Sequence, residues 1–125
     1  MSKRIEIVID CPDTIALADF YAAVGDATKV ADDYSAEWAT LDFDGFKLAF
    51  QHVDGYRAPE WPGQEHPQQF HVDLFVDDLE VEGRRAIELG ATFKLDQVRE
   101  DGYGFVVYLD PAGHPFCLCR ENPGS

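Results

Sequence analysis

Little in this sequence points to a membrane or to nucleic acid. No apolar run approaches the roughly 20 residues needed to cross a bilayer. The opening Met1-Ser2-Lys3-Arg4 leads straight into an alternating segment, with no apolar signal stretch behind it. Basic residues are scarce: Lys and Arg number 10 against 24 Asp and Glu, for a net charge of −14. Such a surface repels phosphate backbones and anionic lipid, so neither nucleic acid nor membrane is expected as a partner. Cysteine is scarce as well. Three residues without a secretory context argue against a disulfide framework. No Ser-His-Asp order and no glycine-rich phosphate loop stands out. A cytoplasmic protein is the expectation these absences leave.

What is present suits one globular domain over residues 1–125, long enough to bury a core without disulfides or a structural metal. Ile5, Ile7 and Ile9 alternate with Glu6, Val8 and Asp10, which predicts a strand with one apolar face. Pro12-Asp13 signals a helix start, and Leu17, Phe20, Tyr21 and Val24 fall on one helical face before Gly25. Strand-like stretches follow around 28–32, 37–43 and 46–53, the last two joined by the hairpin signal Asp44-Gly45. Residues 54–69 are rich in Pro, Gly and charge and read as a connector, with Trp61 its one large apolar residue.

The pattern then repeats. Residues 69–76 alternate, with Phe70, Val72, Leu74 and Val76 on one face and His71, Asp73 and Phe75 on the other. Asp77-Asp78 begins a second helix and Gly90 ends it. Strands are predicted at 91–98, 103–109 and 115–119, with Asp110-Pro-Ala-Gly113 as the last turn. Asp13 and Asp78 stand 65 residues apart (78 − 13 = 65), as do Gly25 and Gly90, and Glu6 and His71. One internal repeat of this length argues for a duplicated unit, with halves at about 1–56 and 67–125. The order strand, helix, three strands argues for α+β: two tandem βαβββ modules with helices on the outer sheet face. Helices can cover only the isoleucine-bearing face. Glu6, Asp10, His71 and Asp73 lie on the other, where a wet, concave site accommodates them more cheaply than a dry core.

The chain resembles the glyoxalase-like proteins of the vicinal oxygen chelate superfamily. The first half carries Ile-Asp-Cys-Pro-Asp13 and Ala-Asp-Phe-Tyr21-Ala-Ala-Val-Gly25. The second carries Phe-His71-Val-Asp-Leu-Phe-Val-Asp-Asp78, Leu-Gly-Ala91 and Asp110-Pro-Ala-Gly-His-Pro-Phe-Cys-Leu118. The resemblance implies paired βαβββ units in a cupped mixed sheet, often in a homodimer. In the family's metalloenzymes, four inward residues from the first and last strands of each half hold one divalent ion, which acts as a Lewis acid. Matched by position, Glu6 and His71 are acceptable ligands and Cys117 stands where Glu is usual. The fourth position is Ala49, or Gln51 if the register slips by two.

No metal is therefore favoured. If Zn, Ni, Mn or Fe binds, the expected ligands are Glu6, His71 and Cys117. His71-Val-Asp73 also has the His-x-Asp spacing of non-haem iron sites, with His114 as a conceivable third ligand, but the short chain and the repeat argue otherwise. Cys117 and Cys119 face the same way and read as packing residues. Without a metal, Glu6 and His71 are the candidate acid–base pair, with a satisfied ion pair as the plainer reading. Gln51, Trp61, Asp73, Tyr103 and Cys117 are read as ligand-contacting residues, and Trp38 as a cavity wall or core residue. His52, His66 and His114 read as surface residues. Two functions follow: a small-molecule-binding protein with a degenerate metal site, or a divalent-metal-dependent lyase, isomerase or dioxygenase.

Overall fold

The computed structural model describes residues 5–121. The lead-in at residues 1–4 lies outside that range. The chain divides into two compact units that meet between Tyr56 and Arg57. Each runs strand, helix, three strands, and each builds one four-stranded mixed sheet.

The first unit comprises β1 (Glu6–Cys11), α1 (Thr14–Val24), β2 (Thr28–Tyr34), β3 (Trp38–Phe43) and β4 (Phe46–His52). Its strand order is β1-β4-β3-β2, with β1 parallel to β4 and the other pairs antiparallel. Asp13 caps α1 by accepting from the Ala16 N–H at 3.0 Å. Leu17, Ala18, Phe20, Tyr21 and Val24 are buried, the face the periodicity predicts. Tyr21 stacks on Phe50 with ring centroids 5.7 Å apart, so the Leu41, Leu48 and Phe50 side of the sheet faces the helix. Gly25 does close the helix, but not in the left-handed conformation. That falls on Asp26 (φ 53). Gly25 is needed instead for close approach, since a Cβ there would stand 2.6 Å from Phe43 Cε1. Asp44 and Gly45 both have positive φ, the backbone of a two-residue hairpin turn.

The second unit comprises β5 (Val72–Phe75), α2 (Leu79–Glu88), β6 (Thr92–Val98), β7 (Gly104–Leu109) and β8 (Pro115–Arg120). Its order is β5-β8-β7-β6, again with only the first pair parallel. Asp78 caps α2 by accepting from the Val81 N–H, and Gly90 follows the helix with φ +117. The strand expected over 69–76 is shorter than the alternation suggested, and His71 lies just before it. Val72 pairs with Phe116, so His71 would need Pro115 as its neighbour, and proline has no N–H to give to a ladder. The Asp110 turn closes as expected. The Asp110 carboxylate is buried and accepts from the N–H groups of Ala112 and His114.

Candidate functional site

Strand register sorts each sheet into a helix-facing side and a helix-free side. In the first unit the helix-free side consists of three rows: Glu6–Lys47–Asp42, Val8–Ala49–Thr40 and Asp10–Gln51–Trp38. Glu6 is half-buried, and Lys47 bridges to Asp42 at 3.5 Å. Trp38 is not helix-side core. It lies beside Gln51 and donates its indole N–H to Thr40 Oγ1 at 3.0 Å, and Thr40 donates in turn to Asp33.

In the second unit the corresponding rows are Asp73–Cys117–Val107–Leu95 and Phe75–Cys119–Phe105–Gln97. Asp73 lies 65 positions beyond Val8 (73 − 8 = 65), and Val8 pairs with Ala49 as Asp73 pairs with Cys117. Ala49 is therefore the positional counterpart of Cys117, and Gln51 that of Cys119. Ala49 is fully buried and has no donor atom.

His71 Nε2 lies 3.1 Å from Asp73 Oδ1, with both side chains half-exposed. Cys117 sits against them, buried. One ligand-type atom from each of His71, Asp73 and Cys117 lies within 4.8 Å of the others. Among the described residues, no other group of three His, Cys, Asp or Glu side chains meets that spacing. Burial first, then the Asp73 charge, pushes the Cys117 thiol up to about 12 and the Cys119 thiol up to about 11. Without a cation nearby both are thiols at neutral pH, with the Asp73 carboxylate as their acceptor. All three cysteines are free.

The remaining sequence candidates lie elsewhere. Trp61 is half-buried in a connector loop that the Glu60–Pro67 bridge closes. Tyr103 is covered by the Arg120 guanidinium, 4.6 Å from its ring centroid. His52 contacts the Pro12 carbonyl and Asp54, and His66 contacts Glu60. Sequence reasoning placed Asp73 on the His71 face and weighed the two only as a His-x-Asp motif with His114, without grouping Asp73 with Cys117. The signal was there, because residues two apart on an extended segment share a side. It also gave no role to Phe75 and Phe105, which are exposed on the same face.

A cleft of about 860 Å³ opens on the opposite, helix side of the second sheet, lined in part by Gly83, Ile87, Phe93, Val106 and Tyr108. It exists because α2 leaves apolar sheet uncovered. It holds none of the donor cluster, so the His71 face, where the reactive groups converge, is the candidate site.

The family is shown by direct comparison. The glyoxalase-like domain matches residues 6–119, nearly the whole chain, and the chain belongs to that family. No curated protein matches. Among solved structures, the chain is similar to a glyoxalase/bleomycin resistance protein/dioxygenase family enzyme from Burkholderia phytofirmans PsJN. That match has a TM-score of 0.73 at 18% identity and covers 92% of this chain and 95% of that one. It is also similar to the fosfomycin resistance protein FosX from Mesorhizobium loti (TM-score 0.70, 15% identity, 99% and 96% covered). A third is lactoylglutathione lyase from Agrobacterium tumefaciens (TM-score 0.65, 18% identity, 96% and 94% covered). At these identities the likeness establishes fold only. No helix among the described residues is long and apolar enough to cross a membrane.

Proposed function

We propose that this chain is a small-molecule-binding protein of the glyoxalase-like family in which the four-position metal centre is incomplete. The observation that carries the reading is the register pairing Val8 with Ala49 where the second unit pairs Asp73 with Cys117. With Ala49 at that position, one of four donors is missing. The residues do not fit the family's full metal set.

Recognition rests on the helix-free face of the second sheet. His71 and Asp73 form its polar end, and Phe75 and Phe105 present exposed rings one row along. A few convergent polar groups beside apolar surface suit a small ligand with one polar and one flat or apolar part. His71 held against Asp73 has the arrangement of an oriented acid–base group, which supports an enzymatic role, as a lyase or isomerase, as the second reading. Three free cysteines suit a reducing cytoplasm. Exposed Phe93, Leu95 and Val98 on the edge strand β6 support a homodimer, which sedimentation would test.

The reading is tested by a thermal-shift screen of small amphiphilic compounds in the presence of a chelator. A ligand at 100 times its Kd adds about 2.7 kcal/mol of apparent stability. We expect compounds that raise Tm in the wild type under chelation and lose the effect in His71→Ala. If every compound that raises Tm requires added metal, the reading fails.

A further inference from the structure

We propose that His71, Asp73 and Cys117 form a divalent-ion site of the zinc class built within the second module alone, with Asp73 in place of any donor from the first. The three donor atoms already lie within 4.8 Å of one another, and His71 Nε2 and Asp73 Oδ1 are 3.1 Å apart. Donors bound at about 2.0–2.3 Å to a four-coordinate zinc stand roughly 3.3–3.8 Å from each other. The cluster is thus within about an ångström of a binding arrangement, a change that side-chain rotation can supply.

The donor types narrow the ion. One imidazole nitrogen, one carboxylate oxygen and one sulfur suit zinc and its neighbours, whereas magnesium and calcium take oxygen sets. The scaffold holds two donors firmly. Asp73 and Cys117 are register partners on adjacent parallel strands, and β8 lies inside the sheet between β5 and β7. The third donor, His71, stands just outside the ladder and is half-exposed, so an ion can enter from solvent. The first module is an internal control. The same topological positions there carry Glu6, Val8 and Ala49, which offer one donor in place of three.

Binding forms a metal–sulfur bond, breaks the Cys117 S–H bond and releases that proton to solvent, with no change of oxidation state. The ion's own charge reverses the local field that otherwise keeps the thiol protonated. Three protein donors leave a four-coordinate ion one position for a solvent or ligand oxygen.

This inference goes beyond the small-molecule reading and is tested with metal alone, so either can fail without the other. Full-length chain stripped with chelator is titrated with Co²⁺ in the absence of any small molecule. We expect a near-ultraviolet cobalt–thiolate charge-transfer band that saturates at one equivalent and is bleached by Zn²⁺. Cys117→Ser should remove the band. Asp73→Asn and His71→Ala should weaken cobalt binding by roughly tenfold or more, and Glu6→Gln should leave it unchanged. Circular dichroism and thermal melts check each fold. Should Cys117→Ser misfold, the half-exposed Asp73 and His71 variants still decide the matter. Absence of the band in the wild type would overturn the proposal, as would its survival in Cys117→Ser. So would a loss in Glu6→Gln equal to that in Asp73→Asn.

Discussion

The two modules share one topology and use it differently. In the first, the apolar α1 (TIALADFYAAV) packs against β2, β3 and β4 and covers the middle of its sheet around Tyr21, Leu41 and Phe50, leaving Ile7 of β1 36% exposed on the same side. In the second, the charged α2 (LEVEGRRAIE) packs principally against β8. Gly83 lets it approach closely, since an added methyl there would overlap the Tyr108 hydroxyl. Yet α2 leaves β6 exposed along its whole length and Phe93 55% exposed. On the opposite faces one pair of equivalent positions differs in the other sense. The first sheet presents Val8 and Ala49 where the second presents Asp73 and Cys117. The two units share one scaffold, and in this chain the first concentrates buried apolar contact under its helix while the second brings His71, Asp73 and Cys117 within 4.8 Å of one another.

The largest expected effect probes the core side of that contrast. Phe50→Ala empties a fully buried site under α1 and should cost about 3–5 kcal/mol by urea denaturation. Phe93→Ala, at the open edge of the second module, should cost under about 1 kcal/mol. Equal costs would break the comparison.

Next comes the turn between β7 and β8. Asp110→Ala removes the buried acceptor of the Ala112 and His114 N–H groups and should cost roughly 2 kcal/mol, read as a lowered urea midpoint.

The smallest effect lies on the surface of the first module. Hydrogen bonds from Lys29 and then Tyr34 hold the Asp19 carboxyl below its ordinary value. A depressed carboxyl stabilises the fold above its unfolded pKa, near 4, and that contribution is lost as pH falls through the folded value. Because the side chain is 48% exposed, Asp19→Asn should cost under about 1 kcal/mol at pH 7. The difference from wild type should vanish in acid, and a difference that persists there would assign it to packing.

Much of this was legible in the sequence. Both capping aspartates, the Leu17-Phe20-Tyr21-Val24 face, the Asp44-Gly45 hairpin and the Asp110 turn follow from local chemistry, and the 65-residue repeat carries the module order. Other features depended on long-range pairing. The start of β5 is set by Pro115, more than forty residues downstream. The equivalence of Ala49 with Cys117 needs the ladder register, because spacing alone also allowed Gln51. Trp38 could not be assigned a sheet face until the α1 side was known. Asp73 was placed on the right face, but its closeness to Cys117 arises only when two distant strands pair in parallel.

The converging donors His71, Asp73 and Cys117 all belong to the second module. The most direct measurement is the calorimetric affinity of the chelator-stripped full chain for Zn²⁺, compared between Glu6→Gln and Asp73→Asn. Wild-type affinity is expected in Glu6→Gln and a loss of roughly tenfold or more in Asp73→Asn. The opposite pattern, with Asp73→Asn unaffected and Glu6→Gln impaired, would contradict a site within the second module.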